Sequence, residues 1–231
     1  MRNYFVLDGK PSTDFNTFIS QSNMFDSSER EVEKISIPGR SGDLTIDRGR
    51  FSNFTSNLEV YIPNGMAQNL DGLRNWLQSV VGYRRYEENF RPDEFRKARF
   101  TGGFEVDSSD RVGASFTLTF DCMPQRYLKS GEQYINFTAN SSLINPTMQV
   151  AKPLIRVWGN GTVGIGDATL TITGATTYTD IDCESLDAYC EGTNRNSGVS
   201  GTFPVLLPGE NGVAIGGGIG LIQVFPRGWI L

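Results

Sequence analysis

From Val112 to Cys122 the chain alternates: Val112, Ala114, Phe116, Leu118, Phe120 and Cys122 fall on one side, Thr117, Thr119 and Asp121 on the other. A period of two sends successive side chains to opposite faces of an extended strand, so this segment demands a sheet with one face buried and one wet. Two more β-rich runs, Asp43–Asp47 and Asn57–Ile62, follow Pro38-Gly-Arg-Ser-Gly42, which reads as a turn between paired strands. One helix interrupts them. Met66, Leu70, Leu73, Leu77 and Val80 keep the four/three spacing of an apolar stripe, Trp76 flanks it, and Gly82 stands where a C-cap glycine would. The first half is predicted to hold several strands and one helix, Leu70–Val80, lying on a sheet.

The second half differs in kind. Residues 1–139 carry 17 basic and 19 acidic side chains, whereas 140–231 carry 4 and 7 yet hold 15 of the 26 glycines. The polar stretch from Phe137 to Pro146 ends in Asn-Pro, which favours an extended or turn conformation, and predicts the boundary between domains 1–139 and 140–231. Beyond it, Leu154–Trp158, Thr169–Thr173, Tyr178–Tyr189, Val199–Phe203, Asn211–Ile215 and Leu221–Phe225 read as short strands separated by Gly, Asn and Pro turns. Such spacing predicts a sandwich or small barrel. The chain is mainly β, and 11% aromatic content helps fill its core.

Composition removes several function classes. There is no histidine, which excludes imidazole general-base chemistry and His-bearing zinc sites. No apolar run is long enough to span a membrane, and the N-terminus lacks the pattern of a signal peptide. A net charge of −5 gives no reason to expect specific nucleic-acid binding. Three cysteines, Cys122, Cys183 and Cys190, read as reduced thiols, with a Cys183–Cys190 bridge across a hairpin left open. No catalytic, cofactor-binding or metal site is expected.

Four constellations invite chemistry. Gly159–Gly166 and Gly216-Gly-Gly-Ile-Gly220 suggest phosphate loops, but no helical pattern follows either, so tight hairpin loops are preferred. Asp180, Asp182, Glu184 and Asp187 suggest a calcium site or, through Asp182 and Glu184 two apart on one strand face, a glycosidase pair; a solvated strand face competes, and the calcium-loop pattern is absent. The cluster Arg84–Arg99 mixes both signs with aromatic residues. It reads equally as a solvated loop or edge strand and as a polar protein–protein contact, carried by Arg84, Arg85, Tyr86, Phe90, Arg91, Arg96 and Arg99. No Ser or Cys nucleophile has a plausible base.

The order of features is itself distinctive. A strand at Tyr4-Phe-Val-Leu-Asp-Gly9, the strands around Pro38–Gly42, one helix, and a closing strand Phe116-Thr-Leu-Thr-Phe-Asp-Cys-Met-Pro-Gln-Arg-Tyr127 are followed by Asn145-Pro146 and Ala151-Lys-Pro-Leu-Ile-Arg-Val-Trp-Gly159. With Asp180-Ile-Asp-Cys-Glu184, Ala188-Tyr189, the segment Gly201–Asn211 and the terminal Pro226-Arg-Gly-Trp-Ile-Leu231, the chain resembles the distal tail proteins of long, non-contractile-tailed bacteriophages. The resemblance implies a structural virion protein at the tail tip, made in the host bacterial cytoplasm. It implies a homo-hexameric ring with a channel for DNA, built by an N-terminal β-sandwich or split-barrel-like domain with one helix. The expected partners are the tail tube protein on one face and a tail-associated hub or fibre protein on the other. A galectin-like C-terminal sandwich projects outward, where it meets receptor-binding proteins in some members. No cofactor, no specific nucleic-acid binding and no membrane insertion are implied.

Two departures bear on that last partner and on sugar. The C-terminal part is compact and shows no inserted arm, which puts direct attachment of receptor-binding proteins in doubt. Galectins bind sugar through a His-bearing motif and a stacking Trp; this chain has no His, and Trp158 and Trp229 stand where core packing is the default. A carbohydrate-binding, lectin-like adhesin is the alternative function.

Overall fold

A computed structural model describes residues 2–23, 26–109 and 112–231. The chain divides into two compact units, residues 1–126 with Leu231, and residues 127–230. The division thus falls after Arg126, earlier than the polar stretch expected to mark it. That stretch is structured within the second unit: Ile135–Phe137 pairs with Leu221–Phe225, and Ser141–Asn145 pairs with Gly209–Gly217. Leu143 and Asn145 alternate inward, a two-residue period too short to read among Asn, Ser and Thr.

In the first unit the long strand is Ala114–Leu128. It pairs antiparallel with Phe54–Ile62, setting Phe116 opposite Val60, Leu118 opposite Leu58 and Phe120 opposite Ser56. The expected alternation holds from Ala114 and continues past Cys122 to a buried Pro124. Val112 is the exception. It lies before the strand and is 56% exposed, because Gly113 passes so close to the Ile62 carbonyl that a β-carbon there would stand 2.6 Å from the oxygen. The sheet runs in the order Lys10–Pro11, Phe5–Leu7, Arg84–Glu88, Glu94–Phe100, Ala114–Leu128, Phe54–Ile62, Phe18–Ser22.

The helix spans Met66–Ser79 and buries Leu73, Trp76 and Leu77. Trp76 stacks on Phe5 at 5.9 Å and on Phe15 at 5.1 Å, which docks the helix on the sheet as its flanking position suggested. The helix stops at Ser79, whose hydroxyl donates to the Trp76 carbonyl, and the β-branched pair Val80-Val81 continues extended. Gly82 is therefore not the C-cap; with φ +75° it serves the turn into Arg84–Glu88 instead. The centre of the unit is aromatic: Phe120 meets Phe5, Tyr86 and Phe100 at 5.4–5.9 Å.

The second unit is a sandwich of two antiparallel sheets. One orders Ile135–Phe137, Leu221–Phe225, Leu154–Trp158, Tyr178–Asp182, Asp187–Cys190 and Thr193–Asn194; the other orders Ser141–Asn145, Gly209–Gly217, Gly161–Ile165, Ala168–Ile172 and Val199–Gly201. Ile155, Val157, Ile181, Ile222 and Val224 from the first meet Leu143, Val163, Ile165, Leu170 and Val213 from the second in one core. The expected long strand Tyr178–Tyr189 is a hairpin, broken where Leu186 takes φ +58°. Gly159–Gly166 is not a hairpin loop throughout: Gly161–Ile165 is a central strand. Gly161 is needed there for close approach, since a β-carbon would stand 2.1 Å from the Gly216 carbonyl.

Candidate interaction surfaces

The charged segment folds into the sheet rather than over it. Arg84–Glu88 and Glu94–Phe100 form an antiparallel hairpin between Phe5–Leu7 and Ala114–Leu128, and the strand period divides the expected contact residues. Tyr86 and Arg96 point inward and are buried. The Tyr86 hydroxyl donates to Glu88 Oε1 at 2.9 Å, and Ser22 Oγ donates to the same oxygen at 3.0 Å. Burial raises the Glu88 pKa, and these hydrogen bonds only partly oppose it. Arg96 donates to the Met123 and Pro124 carbonyls at 3.3 and 3.1 Å and lies 4.6 Å from the centre of the Phe54 ring. Desolvation lowers its pKa to about 10, which still leaves it charged at neutral pH. The cavity beside these groups is about 20 Å³, far too small for a metabolite.

The remaining members of the segment reach the surface. Arg84 and Arg99 are exposed, the first 3.8 Å from Asp8 and the second 3.4 Å from Asp121. Arg85 pairs with Glu87 and lies 3.8 Å from the Phe95 ring centre, and Arg91 pairs with Glu94 at 3.2 Å. Phe90 is half-buried against the core.

A second surface was not apparent from residue type. Arg30–Ile35 pairs with Leu44–Phe51 in a two-stranded sheet of its own, around the turn expected at Pro38–Gly42. Ile35 stands opposite Leu44 and Glu33 opposite Ile46, so these residues share one face. Val32, Ile35, Ile37, Leu44 and Ile46 are 37–40% exposed. Ion pairs Arg30–Asp47 at 2.6 Å and Arg50–Glu31 at 2.9 Å, with Arg48–Glu33, run along both strands. An isolated two-stranded ribbon is marginal in water, and surface ion pairs add little. The one signal in the sequence was the short β-rich run Asp43–Asp47, which lacked a buried side to give it a face.

The acidic constellation of the second unit does not gather. Among the described residues no group of three or more Cys, Asp or Glu is placed to hold a metal. Asp180 is held by Arg156 and Asp182 by Arg227, each through two hydrogen bonds; Glu184 is exposed. Asp182 also accepts from the Glu184 and Ser185 amides at 2.9 and 3.4 Å, which makes it the cap of the hairpin turn. Burial pushes its pKa up, but the Arg227 bonds and those amides outweigh it and hold it below 3.8. A carboxyl that stays ionised to such low pH is a poor general acid. We expect Asp182→Asn to lose about 1.5–3 kcal/mol at pH 7, the usual worth of hydrogen bonds to a charged group. Because the folded-state pKa is depressed, that stability is present above the unfolded value and fades as pH falls through the folded one. Denaturation curves of both proteins at neutral pH and below pH 3.8 check this: the gap should narrow in acid.

All three thiols are buried and free. Asp180 pairs with Tyr189, so Cys190 lies opposite Thr179, four residues along the strand from Cys183; at ~3.3 Å per residue that is far beyond the reach of a disulfide. Desolvation pushes the Cys122 and Cys183 thiols up to about 12. Trp229 packs against the sandwich core and donates to the Val150 carbonyl at 3.0 Å. Trp158 does not pack in the core; it lies half-buried on the outer face of the six-stranded sheet, 6.0 Å from Tyr178. Elsewhere on this unit Ile144, Met148, Val150 and Leu207 are exposed, beside a groove of about 320 Å³ lined by Ile165, Phe203, Val205 and Leu207. No described helix is long and apolar enough to cross a membrane.

No family model matches the chain, and no curated protein matches it in sequence. Its fold matches the crystal structure of the SPP1 Dit (gp 19.1) protein with a TM-score of 0.75 and 14% identity, over 100% of this chain and 100% of that one. That protein is described as a paradigm of the hub adsorption apparatus in phages infecting Gram-positive bacteria. The resemblance to phage distal tail proteins read from the residues is thus met along the whole chain, at the level of fold.

Proposed function

We propose that this chain is a non-enzymatic structural protein of a phage virion, which closes into a hexameric ring at the tail tip. There it joins the tail tube protein to a tail-associated hub or fibre protein around a channel for DNA. The observation that carries the reading is the ribbon Arg30–Ile35/Leu44–Phe51, whose five aliphatic side chains have no core in their own subunit. A cyclic assembly uses two different patches per subunit and leaves no sticky patch unsatisfied once closed, which suits an arm that reaches a neighbour. The shared fold with a hub adsorption protein supports the same role.

In this reading the first unit builds the ring. The surface members of the charged segment, Arg84, Arg85, Phe90, Arg91 and Arg99, form a polar rim that sets register between neighbours; the buried Tyr86 and Arg96 hold that hairpin in shape. The second unit is the galectin-like domain that projects outward, and its exposed Ile144, Met148, Val150 and Leu207 support a contact with receptor-binding proteins. The chain acts at the virion tail tip after synthesis in the host cytoplasm. A channel for DNA should not grip it, and a net charge of −5 suits that.

Light scattering coupled to size exclusion tests the proposal. Six chains of 25.5 kDa predict a species of roughly 150 kDa, with a central hole in negative-stain images. A monomer at every concentration, unchanged by added tail tube protein, would count against the ring.

A further inference from the structure

The register of the six-stranded sheet lays a row of planar polar side chains across its outer face: Asn136, Gln223, Arg156, Asp180, Tyr189 and Asn194, each opposite the next. Directly opposed residues share a face, and the face turned to the core is the other one, carrying Ile155, Ile181, Ile222 and Val224. Two residues along the strands, Trp158 stands opposite Tyr178, at about 7 Å from the polar row. The face therefore combines an aromatic platform with a line of paired donors and acceptors.

These groups are held in place. Arg156 Nε and Nη2 donate to the two Asp180 oxygens at 2.6 and 2.8 Å, and the guanidinium lies 4.3 Å from the Tyr178 ring centre. Gln223 Nε2 donates to Asn136 Oδ1 at 3.0 Å, which fixes both amides. The Asp180 side chain is only 6% exposed. A desolvated ion pair contributes little to stability compared with apolar residues of the same volume, so a merely solvated sheet face gives no reason for one. A binding face does, because its polar groups must be oriented before the ligand arrives.

We propose that this face is a carbohydrate-binding site for a neutral saccharide. Pyranose rings present apolar C–H faces that lie on aromatic rings and vicinal hydroxyls that pair with amides, guanidinium and carboxylate. The Arg156–Asp180 pair sums to zero charge, which selects a neutral glycan over an anionic polymer. The row crosses six strands, about 24 Å at the usual strand spacing, a length for an oligosaccharide rather than one ring. The site belongs to the second unit alone and does not depend on ring formation; a monomer that binds sugar supports it equally.

The test uses the full chain on an array of neutral and anionic oligosaccharides, followed by calorimetric titration with lactose, maltose, cellobiose and N,N′-diacetylchitobiose. We expect neutral glycans to bind and Trp158→Ala to weaken them at least about tenfold, the scale of losing a central aromatic anchor. Gln223→Ala, which removes only an outer-face amide, should weaken binding severalfold with an unchanged melting temperature and decides the matter if Trp158→Ala misfolds. Absence of any neutral glycan bound, equal affinity in both folded variants, or binding confined to anionic polymers and abolished by salt would each overturn the proposal.

Discussion

Replacing Ile35 and Ile46 together by lysine is expected to leave a folded monomer and to abolish the ring. Both side chains lie on one face of the isolated ribbon, with Leu44 between them, and are 37% and 40% exposed within their own subunit. Surface substitutions that remove no contact usually shift stability by no more than about 0.5 kcal/mol, so the single chain should melt nearly as before. In the assembled ring each aliphatic side chain gains about 1.5–3 kcal/mol from full burial. Two such losses per interface, together with the penalty of desolvating two ammonium groups, should weaken association by more than about a hundredfold. The readout is solution mass beside a thermal melt. Mutating the ion pairs instead, for example Arg50→Ala, should change assembly far less, because Arg50 and Glu31 are exposed at 67% and 43% and such pairs are worth little. A ring that survives the double lysine change would show that the ribbon lies outside the interface.

The contrast between ribbon and sheet also explains which parts of the fold were legible. Leu154–Trp158 and Leu221–Phe225 appear with the ends expected of them, because each is a short apolar run bounded by turn residues. The helix was legible because Leu73 and Leu77 recur on the side that Trp76 pins to Phe5. Gly161–Ile165 was hidden because glycine signals a turn, whereas here it is demanded by the close approach of Gly216 across the ladder. In the charged segment Tyr86, Glu88, Arg96 and Ala98 do alternate inward, but two of the four carry charge, so the pattern resembled a solvated surface. Burying Glu88 and Arg96 works only through partners distant in sequence, Ser22, Met123 and Pro124, which no local pattern announces. The ribbon lay beyond pattern reading for the opposite reason: with no buried face of its own, it has no period to read. Trp158 was assigned to the core by residue type, and only the register of its neighbours turns it outward.

Phe120→Ala should be the most damaging single substitution in the first unit. Its ring is fully buried and meets Phe5, Tyr86 and Phe100 at centroid distances of 5.9, 5.4 and 5.7 Å. Across the ladder its partner is Ser56, too small to swing into the space left behind. The cavity should therefore persist, and the cost should sit in the range of about 3–5 kcal/mol seen for large aromatic truncations. Phe120→Leu restores most of the volume and should cost only about 0.5–1.5 kcal/mol, the part owed to edge-to-face geometry. Urea denaturation followed by near-ultraviolet circular dichroism separates the two cases. Nearly equal losses for Ala and Leu would mean that ring geometry, not volume, dominates this core. The same pair of variants bears on assembly, because the ribbon is presented by Phe54–Ile62, the strand that follows it and pairs with Phe120. A first unit short of 3–5 kcal/mol, out of a typical total of about 5–15 kcal/mol, should lose the ring at temperatures where the Leu variant still closes it.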